Sequence, residues 1–158
     1  MAMRWHCVRF EALNAGRLYD VLALRSQVFV LEQRCVYLDP DGLDPQCWHL
    51  QGRGEQDDEL QAYARLLPPL LKGPQQTLPM IGRVVTASSA RGAGQGRALM
   101  QQAIAQCARL WPGLGIDIGA QAHLQGFYAS LGFVPTSAPY DEDGIAHIDM
   151  RRAAGDPR

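Results

Sequence analysis

The stretch "RGAGQGRALM", Arg91 to Met100, decides how the rest of the chain is read. Gly92, Gly94 and Gly96 alternate with other residues, Arg91 and Arg97 flank the run, and an apolar repeat begins at once. Met100, Ala103, Ile104, Cys107, Ala108 and Trp111 recur at the spacing of one helix face, and Pro112 with Gly113 ends it. A helix N-terminus carries unpaired N–H groups and a partial positive charge. Glycines let the backbone close around an oxygen with no Cβ in the way. The stretch therefore reads as an anion cradle. Backbone from Gly92 through Ala93, Gly94, Gln95 and Gly96 to Arg97 does the holding, and the two arginines add charge. On the glycines alone, a pliable joint between strand and helix fits as well. The P-loop pattern needs G-K-[ST], but Gly96 precedes Arg97 and Ala98; the dinucleotide pattern G-x-G-x-x-G fails at Arg97.

Upstream, "MIGRVVTAS" (Met80 to Ser88) is a β-branched strand with an irregularity expected at Gly82 or beyond. Pro68 to Pro79 holds four prolines and is loop. Cys47 to Arg53 and Glu59 to Leu67 read as two strands, and Trp5 to Phe10 as a first one. Asn14 caps a helix that follows Leu18, Val21, Leu22, Val28 and Phe29 and bends or ends between Phe29 and Gln33. "YLDPDGLDP" (Tyr37 to Pro45) reads as an acidic, solvated loop. Downstream, "GIDIGA" is a short strand, and Leu124, Phe127, Tyr128 and Leu131 mark a helix closed by Gly132. "FVPTS" and "AHIDMRR" are two last strands joined by the loop "YDEDGI". The order β-α-β-β-β-α-β-α-β-β predicts one domain over residues 1–152, a mixed sheet with helices on its faces, and a loose tail over 153–158.

Composition excludes more than it selects. The chain has 158 residues, 47% apolar and 20% charged, which suits one globular domain with a core. A net charge of −1 offers no field for nucleic acid or membrane, and no apolar run reaches spanning length. Lys72 is the only lysine among 15 basic residues, a bias read first as coding preference. Cys7, Cys35, Cys47 and Cys107 form no C-x-x-C pair, and the start lacks a basic-then-apolar segment. Reduced, largely buried thiols in a cytoplasmic protein are expected. The four histidines have no metal-ligand spacing, so no metal is expected.

A second signal lies in "QAHLQGFYASLGF", Gln121 to Phe133. Gln121 and Tyr128 are seven apart and would share a face if both were helical. With the cradle, this stretch resembles the GNAT superfamily of acetyl-CoA-dependent N-acetyltransferases. Its pyrophosphate loop reads [QR]-x-x-G-x-[GA], and its later helix carries N-x-x-[AL]-x-x-[LF]-Y-x-x-x-G-F. "LRSQVFVLEQRCVYLDPDGLD" and "GAQAHLQGFY" are similar to the ElaA-like group of that superfamily. Gln121 stands where the family often has Asn, so its contact with pantetheine stays open.

The resemblance implies a fold of the α+β (mixed α/β) class. It has a mostly antiparallel, twisted sheet whose parallel central pair splays around acetyl-CoA, between the strand at Ile81–Ala87 and the strand at Gly115–Gly119. It implies that the backbone of Val84, Val85 and Thr86 holds the pantetheine arm and the carbonyl oxygen, and that Tyr128 protonates the leaving thiolate. Read without it, Tyr128 is a core residue with a satisfied hydroxyl, and Val84 and Val85 are core packing. An amine acceptor arrives mostly protonated and needs a base. Glu32 is the preferred candidate, ahead of Asp44, His49, Glu142 and His147; Arg25, seven residues before Glu32, would pair with it if the helix persists. The acceptor is a primary amine of a small molecule or peptide, and a homodimer is left open. Two other functions remain: acyl-homoserine-lactone-type synthesis, to whose enzymes Arg25-x-x-x-Phe29 followed by Glu32 is faintly similar, and CoA sensing without catalysis.

Overall fold

A computed structural model describes residues 2–155 of the chain. Of the expected tail, Ala153 to Gly155 have no regular structure and 156–158 lie outside the described residues. The elements run β1 (Met3–Arg9), α1 (Ala15–Arg25), β2 (Trp48–Gly54), β3 (Leu60–Leu67), β4 (Met80–Thr86) and α2 (Gln95–Leu110). Then follow β5 (Ile116–Gln121), α3 (Gln125–Ala129), β6 (Phe133–Pro135), β7 (Tyr140–Glu142) and β8 (Ile145–Arg152). One sheet runs β1-β2-β3-β4-β5-β8-β6, with β7 also on β8. Every pair is antiparallel except β4–β5. That parallel pair meets at Met80 and Asp117 alone, so the two strands part beyond it.

Alternation along β3 separates two cores. Ala62, Ala64 and Leu66 pack toward the α2 face, where Leu99, Met100, Ala103 and Cys107 are buried. Tyr63 packs on the other face with Val21 and Val28 from the α1 side and with Val85. Each fully buried large apolar side chain is worth about 1.5–3 kcal/mol, and the helices hold the sheet from both sides. Toward β5 and β8, the α1 face of the sheet stays open.

Three local readings change. The first helix is α-helical only to Arg25 and continues over Ser26–Glu32 as a π-helix, with the Gln33 N–H bonded to the Val28 carbonyl at 3.0 Å. The wider winding spoils the seven-residue repeat, and Arg25 and Glu32 do not pair. The acidic loop "YDEDGI" contains a strand, β7, paired to β8. Gln121 ends β5 and is not helical, so it shares no helix face with Tyr128.

The loop "YLDPDGLDP" is not a solvated acidic run. Arg25, fully buried, donates to Asp39 and Asp44 at 2.8 Å each. Arg65, also buried, donates to Asp41 and, at 3.0 Å, to Asp44. Three aspartates thus face arginines from α1, β3 and β4, with Arg83 on Asp39 at 2.9 Å. Burial works to raise the Asp44 carboxyl, but hydrogen bonding and charge from Arg25, then Arg65, outweigh it and hold it below its usual range. His49 has both ring nitrogens occupied, by the Tyr63 hydroxyl at 2.7 Å and the Asp44 carbonyl at 2.9 Å, and burial pushes its pKa down.

Candidate active site

Where β4 and β5 part, a cleft of about 1010 Å³ opens. Gly82 to Thr86 of β4 form one wall. Ile118, Gly119 and Gln121 of β5 form the other, extended by Phe127 and Tyr128 of α3. The π-helical segment contributes Val28, Phe29, Glu32 and Gln33 across the top. Tyr140, Glu142, His147 and Asp149 from β7 and β8 line the open face, and Lys72 of the proline-rich loop lines the end beside Met80.

At the other end, past β4, stands the glycine cradle. Gly92 and Gly94 have φ of +87° and +75°, and nothing lies within 4 Å of where a Cβ would sit on either. Gly94 is the N-cap of α2 and, as glycine, supplies no side-chain cap. The start of a 16-residue helix, with glycines turned left-handed to open the approach, fits an anion. Arg91 and Gly96 line the cleft itself. Arg97 turns aside, its guanidinium 5.4 Å from the Phe127 ring and 2.8 Å from the Ser130 hydroxyl.

Tyr128 is 7% exposed, and among the described residues its hydroxyl has no hydrogen-bond partner. Its ring is fixed edge-on against Phe127 and Phe133, at 5.1 and 6.0 Å between centroids. Burial pushes the phenol up to about 12. A buried, oriented, permanently protonated donor facing a cleft is unlike the satisfied core tyrosine, which Tyr63 exemplifies.

Glu32 does reach the cleft, but its carboxylate accepts from Arg91 at 2.8 Å. Arg91 also donates to the Thr86 carbonyl at 3.0 Å, which ties the cradle to the end of β4. The neighbouring Gln33 accepts from Gln121 at 3.3 Å, so the Gln121 amide spans toward the π-helical segment. Asp44 and His49 are buried in the arginine–aspartate cluster, and neither lines the cleft. His147 does line it, with Nδ1–H donating to the Ile145 carbonyl at 2.8 Å and Nε2 3.5 Å from the Glu142 carboxylate. Asp149 accepts from the Tyr140 hydroxyl at 2.6 Å.

Residue types alone passed over Arg83 and Asp39. The available signal was an arginine inside each of three apolar runs, "LALRSQVF", "AYARLL" and "IGRVV", which calls for buried partners. Among the described residues no group of three or more His, Cys, Asp or Glu side chains is arranged to hold a metal, and no helix is long and apolar enough to cross a membrane.

Comparison with known proteins places these features in a wider set. Residues 72–154 match the family model described as an acetyltransferase (GNAT) domain. A UPF0039 protein of Synechocystis is 46% identical over 150 residues, 95% of either chain. Protein ElaA of Escherichia coli is 42% identical over 95% of this chain and 96% of its own. The ElaA crystal structure superimposes with a TM-score of 0.87 over 96% of this chain and 99% of that one. An acyl-CoA N-acyltransferase from Pseudomonas aeruginosa is 43% identical in structural alignment, with a TM-score of 0.89 over 96% of this chain and 100% of its own.

Proposed function

Because this chain belongs to the GNAT acetyltransferase family and its ElaA-like group, we propose that its cleft transfers an acetyl group from acetyl-CoA to a primary amine of a small molecule or peptide. One observation carries the reading: the glycine cradle of α2 and the unpartnered Tyr128 hydroxyl open onto a single cleft between strands that have come apart.

The cradle residues Gly92 to Arg97, with Arg91, suit the pyrophosphate of coenzyme A. The backbone of Val84, Val85 and Thr86 suits the pantetheine arm, because no β5 residue pairs with that part of β4. Gln121 is the side-chain candidate for the same arm. Acetyl-CoA supplies an activated carbonyl and a thiol leaving group. An N–H of β4 stabilises the charge that builds on the carbonyl oxygen. Tyr128 donates its proton to the sulfur as the carbon–sulfur bond breaks. The burial that raises its pKa also raises that of a sulfur beside it, so donor and acceptor move together.

Proton removal from the acceptor falls to Glu32 or His147. The Glu32 carboxylate is engaged by Arg91, whereas His147 lines the cleft with its Nδ1 held by the Ile145 carbonyl. The variant that loses the acidic limb of the kcat/KM profile, Glu32→Gln or His147→Gln, identifies the base. An unchanged profile in both removes Glu32 and His147 as the base and leaves Glu142, which also lines the cleft.

Thermal stabilisation by acetyl-CoA, CoA and ATP, followed by thiol release with a panel of amines, tests the function. Acetyl-CoA is expected to stabilise most, and Gly94→Val to abolish that shift, since a branched side chain at φ +75° is strained and its methyls stand in the cradle. ATP stabilising more than acetyl-CoA sinks the reading. Stabilisation without thiol release for any amine favours a CoA-sensing module. Thiol release only with S-adenosylmethionine favours lactone synthesis.

A further inference from the structure

Arg83 breaks a backbone rule in the middle of a strand. Its φ is +49°, in the left-handed region where a side chain is disfavoured. The pairing register jumps there: Tyr63 faces Val85 and Arg65 faces Gly82, so Ala64 alone stands opposite both Arg83 and Val84. This is a two-for-one bulge, a type that ordinarily carries glycine at its left-handed position. A glycine stands next door at Gly82, yet the strained position holds arginine. Strain of this kind persists only where surrounding structure holds it.

The hold is visible. Arg83 Nε donates to Asp39 Oδ1, and Nη2 donates to the Asp39 carbonyl, both at 2.9 Å. Its guanidinium lies 5.7 Å from the centre of the Tyr37 ring. Asp39 is in turn fixed: Oδ2 accepts from Arg25 Nε at 2.8 Å, Oδ1 accepts from the Tyr37 hydroxyl at 3.1 Å, and the residue is 3% exposed. The acceptors that Arg83 uses therefore cannot follow a straightening strand. Beyond the bulge, Val84, Val85 and Thr86 line the cleft with no strand partner on the β5 side.

We infer that Asp39, acting through Arg83, is a positioning residue for acyl transfer: the pair holds the β4 bulge that turns the Val84–Thr86 backbone toward the reacting carbonyl. The inference rests on the acyltransfer reading above. It gives the acidic loop a task, namely bracing the β4 wall of the cleft.

The test compares Arg83→Ala with Arg83→Gly. Both cut the tether and both leave the buried Arg25–Asp39 pair intact, whereas an Asp39 variant takes from buried Arg25 one of its two carboxylates and risks the fold. Glycine adopts positive φ freely and keeps the bulge; alanine does not. The expected result is kcat about tenfold lower in Arg83→Ala than in Arg83→Gly, with acetyl-CoA KM differing less than kcat between the two and their Tm values alike. A merely structural role would move kcat and Tm together. Equal kcat in the two variants overturns the inference. Crystal structures read the bulge without turnover. Ala64 pairing one-for-one in Arg83→Ala but not in Arg83→Gly supports the tether, and an unchanged φ and register in Arg83→Ala overturn it. If the parent releases no thiol with any amine, acyl transfer itself fails, and those structures alone decide whether Asp39 holds the bulge.

Discussion

Tyr128→Phe is expected to lower kcat by about 100-fold or more, within the span that a positioned acid contributes, while acetyl-CoA affinity stays within about threefold. The substitution is clean because of where the ring sits. Phe127 and Phe133 grip its edges and face, and phenylalanine keeps those contacts. The hydroxyl it removes has no protein partner among the described residues, so no donor or acceptor is stranded and stability should not fall. With the phenol pushed up to about 12, the parent holds its proton across the neutral range and shows no basic limb from Tyr128 below about pH 11. Steady-state kcat, set beside acetyl-CoA binding by calorimetry, checks the claim. Undiminished turnover by Tyr128→Phe retires the acid role and leaves the ring as packing.

The α2 side of the cleft was legible because its signals are local. Glycines before a 3.6-residue apolar repeat specify a tight approach and a helix within ten residues, and α2 begins at Gln95 as that pattern requires. The opposite side was not, because its determinants are long-range. The residues that neutralise Asp39, Asp41 and Asp44 lie 14 to 44 positions away, so the loop looks acidic in sequence and is charge-balanced in the fold. The π-helical winding after Arg25 has no propensity signature, yet it decides that Arg25 turns to the core while Glu32 turns to the cleft. The bulge was half legible. Gly82 marked the place, but the left-handed residue is the arginine after it, and only its tertiary partners explain that.

Those partners give the second large effect, on stability. Asp44→Ala is expected to cost about 3–5 kcal/mol, the range for removing one member of a buried ion pair. Arg25, with no exposed surface, would keep only Asp39, and Arg65 only Asp41. The backbone carbonyl that holds His49 remains, so the loss belongs to the carboxylate. Its pH dependence follows from the sign of the shift. Asp44 titrates lower in the fold than the ordinary value near 3.9, so its contribution is complete above about pH 4 and disappears as the pH falls through the folded pKa. His49 acts earlier. Its folded pKa lies below the usual 6.5, so the stability of the neutral buried ring begins to be lost as the pH drops under that value. Urea midpoints at pH 7, 5 and 3 separate the two. The parent should lose stability in both intervals and Asp44→Ala less than the parent in the second, where Asp41, held low by Arg65, still titrates but the Asp44 carboxylate is already gone. Equal losses for parent and variant between pH 5 and 3 would falsify the ionic role of Asp44. The same cluster braces Arg83, so Asp44→Ala should also lower turnover at temperatures where it is still folded. Asp39 still accepts from Arg25, Tyr37 and Arg83, but Arg25 has then lost one of the two carboxylates that fix where it points.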